Sequence, residues 1–302
     1  VSSQIIHSKF GGVVPELASR EHELLLNTIV QQALEEASID KKEIEGIAVT
    51  RGPGLAGALL AGVCFAKGLA NGLKKPIIGI NHLEAHIFAN FLADPNLKFP
   101  FVCLLVSGGH TQLWLVKEMN NYTLMGTSRD DAAGEALDKG AKLLGLSYPG
   151  GPKLEKISLK GNPNKFYFPE CMKNENNFSF SGVKTSLKYF LQNIDKNFFY
   201  KHFNDICASY QQSIFNALAN KIKKEILKEN YQSIGLSGGV SSNKMLKLMI
   251  LNISKEKKIP FYTTIKKYAT ENAAMISFAS YIDDPQYINI KNSLKANPSL
   301  SL

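Results

Sequence analysis

The chain has 302 residues, of which 44% are hydrophobic and 20% charged. That balance excludes disordered and collagen-like architectures, and the length predicts two domains or two lobes. Cys64, Cys103, Cys171 and Cys207 are far apart with no C-x-x-C spacing, which argues against a disulfide framework or a cysteine zinc site. A net charge of +9 points to a polyanionic partner.

The opening residues Val1 to Ile6 lack a basic region and a small-residue cleavage site, so no secretory signal is expected and the protein reads as cytoplasmic. From Glu16, the residues Leu24, Leu25, Ile29, Val30, Ala33, Leu34 and Ala37 recur at helical spacing, predicting an amphipathic helix that ends near Asp40. Gly46 to Thr50 reads as a strand, Arg51-Gly52-Pro53-Gly54 as a turn, the small residues up to Asn71 as a helix, and Ile77 to Ile80 as a second strand. Together they make a βαβ unit. Gly68, Asn71 and Lys74 interrupt the apolar stretch Leu55 to Leu73, so neither a bilayer span nor a membrane partner is expected.

A helix beginning near Asn81 leads to Phe101 to Val106, an unbroken apolar run suited to a central strand buried on both faces. Ser107 to His110 then predicts a glycine-rich hairpin returning as Thr111 to Val116. The expected division is a first lobe over 1–103 and a second lobe, with a helical insertion, over 104–302. Later elements repeat the alternation: a helix from about Asn204 to Glu229, strand Ser233 to Ser237, turn Gly238-Gly239, a helix after Ser242, strand Ile259 to Thr263 and a final helix after Thr270. If the lobes are structural repeats, the first should open with its own hairpin, so roughly 30 residues are expected ahead of Val1.

Several stretches carry possible chemistry. His82-Leu83-Glu84-Ala85-His86 stacks two imidazoles on one helix face, a grip for a metal ion or a pair of surface or capping histidines. Glu84 follows His82 by two positions and so points off that face, unlike the general base of an H-E-x-x-H peptidase. Ser107-Gly108-Gly109-His110 is either an anion cradle of backbone N–H groups or a plain hairpin. Ser237-Gly238-Gly239 supplies a second such element, and two of them can bracket one nucleotide.

Glu135 and Asp138, at a helix start, suit ribose hydroxyls or simply the helix dipole. In Tyr148-Pro149-Gly150-Gly151-Pro152 the glycines permit close backbone approach to a ligand, and Phe178 to Thr185 could contact RNA or cap a helix. Thr270-Glu271-Asn272 could cap the last helix, or Glu271 could complete a metal site. No general base stands out beyond His110.

The basic excess is regional: between Lys201 and Lys267 there are 12 lysines against four acidic residues. Arg20, Arg51 and Arg129 are the only arginines, so this face suits point contacts with phosphates, or is a solvated helix surface.

In this order the stretches at Gly11 to Arg20, Gly52 to Gly54, His82 to His86, Val106 to Gln112, Asp130 to Gly151, Phe178 to Thr185, Ser237 to Asn243 and Thr270 to Met275 resemble one family. It is the TsaD-type tRNA adenosine threonylcarbamoyltransferases, formerly called O-sialoglycoprotein endopeptidases. The resemblance implies an α/β ASKHA (actin, sugar kinase and Hsp70-like) fold, with two lobes around a central cleft. It implies transfer of a threonylcarbamoyl group from threonylcarbamoyl-adenylate to the exocyclic amine of the adenosine 3′ of the anticodon in tRNAs reading ANN codons.

Carried over by motif, His82, His86 and Glu271 would hold one divalent metal, Fe(II) in preference to Zn(II). Leu105, Val106, Ser107, Gly108, Gly109, Asp138, Gly151, Glu155 and Asn243 would bind the substrate. The implied partners are tRNA, threonylcarbamoyl-adenylate, a paralogous inactive TsaB-type subunit and a small TsaE-type ATPase. Glu271 stands where the family has Asp, Glu155 where many members have Asp, and the family's opening G-I-E-T-S-C-D hairpin is absent. A non-catalytic tRNA- or partner-binding subunit, an ASKHA-type ATPase and a metallopeptidase are the alternatives.

Overall fold

The structure, a computed structural model, describes residues 10, 12–282 and 294–302. Its contacts define two compact units, Val1–Phe88 with Asn272–Leu302, and Ala89–Glu271. This division differs from the expected 103/104 boundary. The final helix packs on the two strands of the first unit, so the chain returns there at Asn272, a long-range pairing that leaves no local trace in the sequence.

In the first unit, α1 (Pro15–Ala37) starts with a proline in its first turn and stops at Ser38, whose backbone is left-handed. β1 (Ile47–Gly52), α2 (Ala56–Leu73) and β2 (Ile77–Asn81) form the expected βαβ unit, the strands parallel with Ile47 opposite Ile77. Leu59, Val63, Ala66 and Ala70 recur at three- and four-residue spacing on α2 and are its buried face. Val63, Ala66 and Ala70 pack with Ile77 and Leu294 into a small core.

The helix expected up to Asn71 is present, but Gly68 and Asn71 do not interrupt its apolar character as expected, because one glycine and one asparagine lower the mean hydropathy of 18 residues only slightly. α2 runs unbroken through both and is long and apolar enough to cross a membrane by length and composition alone. In this fold it packs against α1 and β1. α3 (His82–Ala93) follows β2 directly.

The second unit holds a five-stranded sheet of β3 (Phe101–Val106), β4 (Thr111–Glu118), β5 (Asn121–Thr127), β6 (Ser233–Ser237) and β7 (Phe261–Thr263), in the order β5-β4-β3-β6-β7. β3 is central, and all six of its residues are buried, as its composition predicts. It runs antiparallel to β4, with Val106 opposite Thr111, and parallel to β6, with Leu105 opposite Ser237. The glycine turns that follow β3 and β6 therefore lie side by side.

The helices of this unit are α4 (Ala133–Leu143), α5 (Gly150–Ser158), α6 (Ser181–Gln192), α7 (Lys196–Glu225), α8 (Lys244–Lys257) and α9 (Lys266–Ala269), and a short 3-10 turn, Gly239–Ser242, precedes α8. α7 begins well before Asn204 because the Asp195 carboxylate accepts the Phe198 N–H at 2.8 Å and caps it. α10 (Ala273–Ile282) is the helix that rejoins the first unit.

At the basic end of α7 one lysine is buried and two of its neighbours reach over the adjoining loop. Lys221 is only 2% exposed, and its ammonium donates to the carbonyls of Met172 and of Glu175, the latter at 2.7 Å. Lys224 donates to the Lys173 carbonyl, and Lys228 to the Asn176 side chain at 3.2 Å. Desolvation accordingly lowers the Lys221 pKa. Three lysines that read as a phosphate-binding face thus hold the 172–176 loop. Lys221→Ala, which strands two carbonyls, is expected to destabilise the protein by about 3 kcal/mol, seen in urea unfolding as a lower midpoint at unchanged slope.

Candidate functional site

α3 sets His82 and His86 one turn apart, their rings 4.6 Å between centroids and nearly perpendicular. Glu271 is the residue after which the chain re-enters the first unit, and the ligand atoms of the three side chains lie within 4.8 Å of one another. Two imidazole nitrogens and one carboxylate oxygen are a donor set that Fe(II) and Zn(II) both accept, so the residues fit a single divalent metal. Glu84 is buried but is not a member of this group, in keeping with its off-face position in the sequence.

The first unit braces the helix that carries these histidines. Asn81 accepts the Leu83 N–H at 2.9 Å, capping α3, and donates its amide to the Ser301 carbonyl at 3.0 Å. The 294–302 segment is itself fastened to the end of β1 and the turn after it: Asn297 N–H donates to the Arg51 carbonyl at 2.7 Å, and Gly54 N–H to the Pro298 carbonyl at 3.2 Å. Asn272 caps α10 by accepting the Met275 N–H at 2.9 Å, so the capping role expected of this stretch belongs to Asn272.

In the second unit the turn after β3 is closed from within. The Ser107 hydroxyl accepts the N–H groups of His110 at 3.0 Å and Gly109 at 3.3 Å, and Ser107 N–H donates to the His110 carbonyl at 2.8 Å. Gly134 N–H donates to the Ser107 carbonyl, and a Cβ at Gly134 would lie 2.5 Å from that oxygen. After β6, Gly238 has φ +87°, and a Cβ there would lie 2.4 Å from the Val106 carbonyl oxygen. Only hydrogen fits at either contact. A Cβ at Gly108 or Gly109 would meet nothing within 4 Å, and the Gly108 N–H has no partner among the described residues. The turn therefore presents open space and a free donor.

Asp138, on α4, accepts the N–H groups of Gly150 and Gly151, both at 2.8 Å, with the same carboxylate oxygen. Its other oxygen accepts nothing among the described residues. Burial raises its pKa, against the two backbone bonds that lower it, and the Glu135 charge adds to the rise. Asn243 accepts the N–H groups of Met245 and Leu246 at the head of α8 and donates to Gln211 at 3.2 Å. Glu155 accepts the Lys244 N–H at 2.9 Å. Leu105 and Val106 are wholly buried, which leaves only their main chain for a ligand.

Phe178 and Phe180 are buried and stacked, so neither ring is presented to an RNA, and the stretch does not cap α6 itself, since Phe180 offers no side-chain acceptor. Its Lys184 pairs with Asp131, whose burial would raise its pKa but whose two lysine partners, Lys139 and Lys184, hold it below the usual carboxylate range. Sequence reading misses Asp130, which accepts the N–H groups of Phe180 at 2.8 Å and Ser181 at 3.3 Å, and Thr111, whose hydroxyl accepts the Ala133 N–H at 2.8 Å. Their partners lie too far along the chain for any local signal.

A raised folded-state pKa means that the native state binds the Asp138 proton more tightly than the unfolded chain. Its contribution to stability is therefore lost as pH rises through the carboxylate range. Asp138→Asn removes that loss while keeping an oxygen acceptor, so its stability relative to the parent is expected to increase between about pH 4 and pH 7. Paired urea titrations read the difference.

A family model described as TsaD, tRNA N6-adenosine threonylcarbamoyltransferase, matches residues 1–278. A relative of that name from Fervidobacterium nodosum is 48% identical over 285 residues, covering 92% of this chain and 84% of its own length. One from Thermosipho africanus is 45% identical over 305 residues, covering all of this chain and 92% of its own. Among solved structures, HypF from T. kodakarensis superposes with a TM-score of 0.61 at 16% identity, covering 84% of this chain and 42% of that one. Full-length HypF in its phosphate- and nucleotide-bound form gives 0.59 at 12% identity, over 89% of this chain and 42% of that one. The shared architecture is the ASKHA fold.

Proposed function

The chain belongs to the tRNA N6-adenosine threonylcarbamoyltransferase family, and from that membership we propose the following reaction. It transfers threonylcarbamoyl from threonylcarbamoyl-adenylate to the exocyclic amine of the adenosine 3′ of the anticodon in tRNAs reading ANN codons. The observation that carries this reading is the pairing of two glycine turns, after β3 and β6, with the Asp138 carboxylate in the same unit. In the proposed step the amine nitrogen bonds to the carbamoyl carbon, the bond from that carbon to the phosphate oxygen breaks, AMP leaves with the electron pair, and the amine loses a proton.

His82, His86 and Glu271 would hold the metal, which when bound supplies a Lewis acid to the carbamoyl or phosphate oxygens. Both Fe(II) and Zn(II) suit that donor set, and Fe(II) is the metal that the family resemblance implies. The Gly108 N–H and the open side of the Ser107 to Gly109 turn are suited to phosphate or developing oxyanion charge. Asp138 holds the Gly150-Gly151 backbone with one oxygen and keeps the other for adenylate hydroxyls. Gly151 contributes its backbone there, and Glu155 and Asn243 fix the head of α8 beside the second turn. An aryl amine is a weak nucleophile, so orientation of the two substrates carries much of the acceleration.

For partners, the reading includes a paralogous TsaB-type subunit and a small TsaE-type ATPase. Leu24 on α1 and Leu60 on α2, 72% and 59% exposed, supply apolar surface that the paralogue would cover. tRNA phosphates would meet Lys244, Lys255, Lys258 and Lys266, which make no ion pair among the described residues.

Two measurements test this reading. Nucleoside mass spectrometry of unmodified tRNA, incubated with the protein, threonylcarbamoyl-adenylate and the partner subunits, is expected to give threonylcarbamoyladenosine, and His86→Ala to lose both that signal and the bound metal. No product from the parent protein would refute the assignment. Binding of tRNA is expected to weaken with salt, at a log–log slope of about −3 for four lysine–phosphate contacts. A flat response removes the lysine contacts from the account.

A further inference from the structure

A cavity of about 270 Å³ lies in the second unit between the 163–173 loop and α7, apart from the residues assigned above. Ser209, Gln212, Ser213 and Asn216 form a polar stripe at i, i+3, i+4 and i+7 on a helix otherwise rich in core residues, and all four line the cavity. The serines fasten the loop: Ser209 accepts the Phe166 N–H at 3.1 Å, and Ser213 donates to the Phe168 carbonyl at 2.7 Å.

The amides are only half committed. Gln212 donates to Asn216 at 2.6 Å, which leaves the Gln212 oxygen as an acceptor and the Asn216 nitrogen as a donor, neither with a partner among the described residues. Glu170 accepts from Asn220 with one oxygen and keeps the other. At the rim, Tyr167 is 77% exposed, and the Lys173 ammonium makes no ion pair among the described residues.

An exposed aromatic ring, a donor and an acceptor side by side, and a nearby cation suit a planar heteroaromatic base with its phosphate. We propose that this cavity takes one unpaired nucleotide of the tRNA. The base stacks on Tyr167, its edge meets Gln212 and Asn216, and its phosphate faces Lys173. The volume suits one nucleotide rather than a helix, and the chain's charge of +9 favours a nucleic acid over an acidic-poor peptide. α7 also joins the cavity to the transfer site, because Gln211, beside Gln212, accepts from Asn243. The inference rests on the tRNA-transfer reading and adds a second point of tRNA recognition to it.

The test compares tRNA-dependent transfer by the parent, Tyr167→Ala, Tyr167→Phe and Lys173→Ala proteins, with the partner subunits present. Tyr167 is exposed, so matched thermal unfolding is the folding control. Tyr167→Ala is expected to raise the KM for tRNA about tenfold with kcat within about twofold, and Tyr167→Phe to restore the KM because stacking needs only the ring. Lys173→Ala is expected to reduce the salt slope by about one. In the Tyr167→Trp protein, emission above that of Trp114 is expected to be quenched by tRNA and not by AMP.

An unchanged KM in Tyr167→Ala, with an active parent, overturns the cavity assignment and leaves the transfer reading intact. A parent that neither transfers nor retains tRNA overturns both. Equal quenching by AMP assigns the cavity to a free mononucleotide, and quenching by a peptide but not tRNA assigns it to a protein partner; either result overturns the proposal.

Discussion

Helices α4, α5 and α6 of the second unit begin without a cap of their own, and the arrangement of the site depends on how that deficit is met. The residues before α4, α5 and α6 are Ala132, Pro149 and Phe180, none of which offers a side-chain acceptor to the first turn. Helix N-termini leave backbone N–H groups unsatisfied, and burying them unpaired would be strongly destabilising. Each is served from a distance: Thr111 caps α4, Asp138 caps α5 and Asp130 caps α6. These bonds tie the sheet to α4, α4 to α5, and the 128–131 segment to α6. The side chains nearest the proposed adenylate are therefore also the fasteners of the unit, which limits their freedom to change.

The same region relies on main chain meeting main chain. β3 and β6 run parallel, so their glycine turns emerge together, and Gly238 and Gly134 let neighbouring carbonyls approach closer than any Cβ would allow. Glycine there is a geometric requirement. Gly108 and Gly109 differ, since open space adjoins both, and that space is what a ligand would fill. The distinction is invisible in the letters, because both pairs of glycines sit in short Ser-Gly-Gly runs or helix starts.

Charge follows a similar division. Lys221 on α7, which reads as part of a phosphate-binding face, is drawn inward by the carbonyls of the 172–176 loop, where its long flexible ammonium satisfies two acceptors at once. Lys244, Lys255, Lys258 and Lys266, on and after α8, stay outward, whereas Lys247 is half-buried and reaches the Thr264 carbonyl. Net charge forecasts a polyanionic partner well, but it does not say which cations are available, because a side chain of that length reaches whichever acceptor the tertiary fold brings near.

The sequence by itself determined much of the fold and the identity of the candidate site. Hydrophobic periodicity placed the βαβ unit, the doubly buried β3 and the hairpin that follows it, and the four-residue spacing of His82 and His86 put both rings on one face. All of these are local relations, readable within one helical turn or one strand. Tertiary structure alone decided the return of α10 to the first unit, the bracing of Asn81 by the 294–302 segment, the distant caps and the cavity along α7. Each joins residues far apart in the chain, and linear order carries no distance between them until packing has brought them into contact.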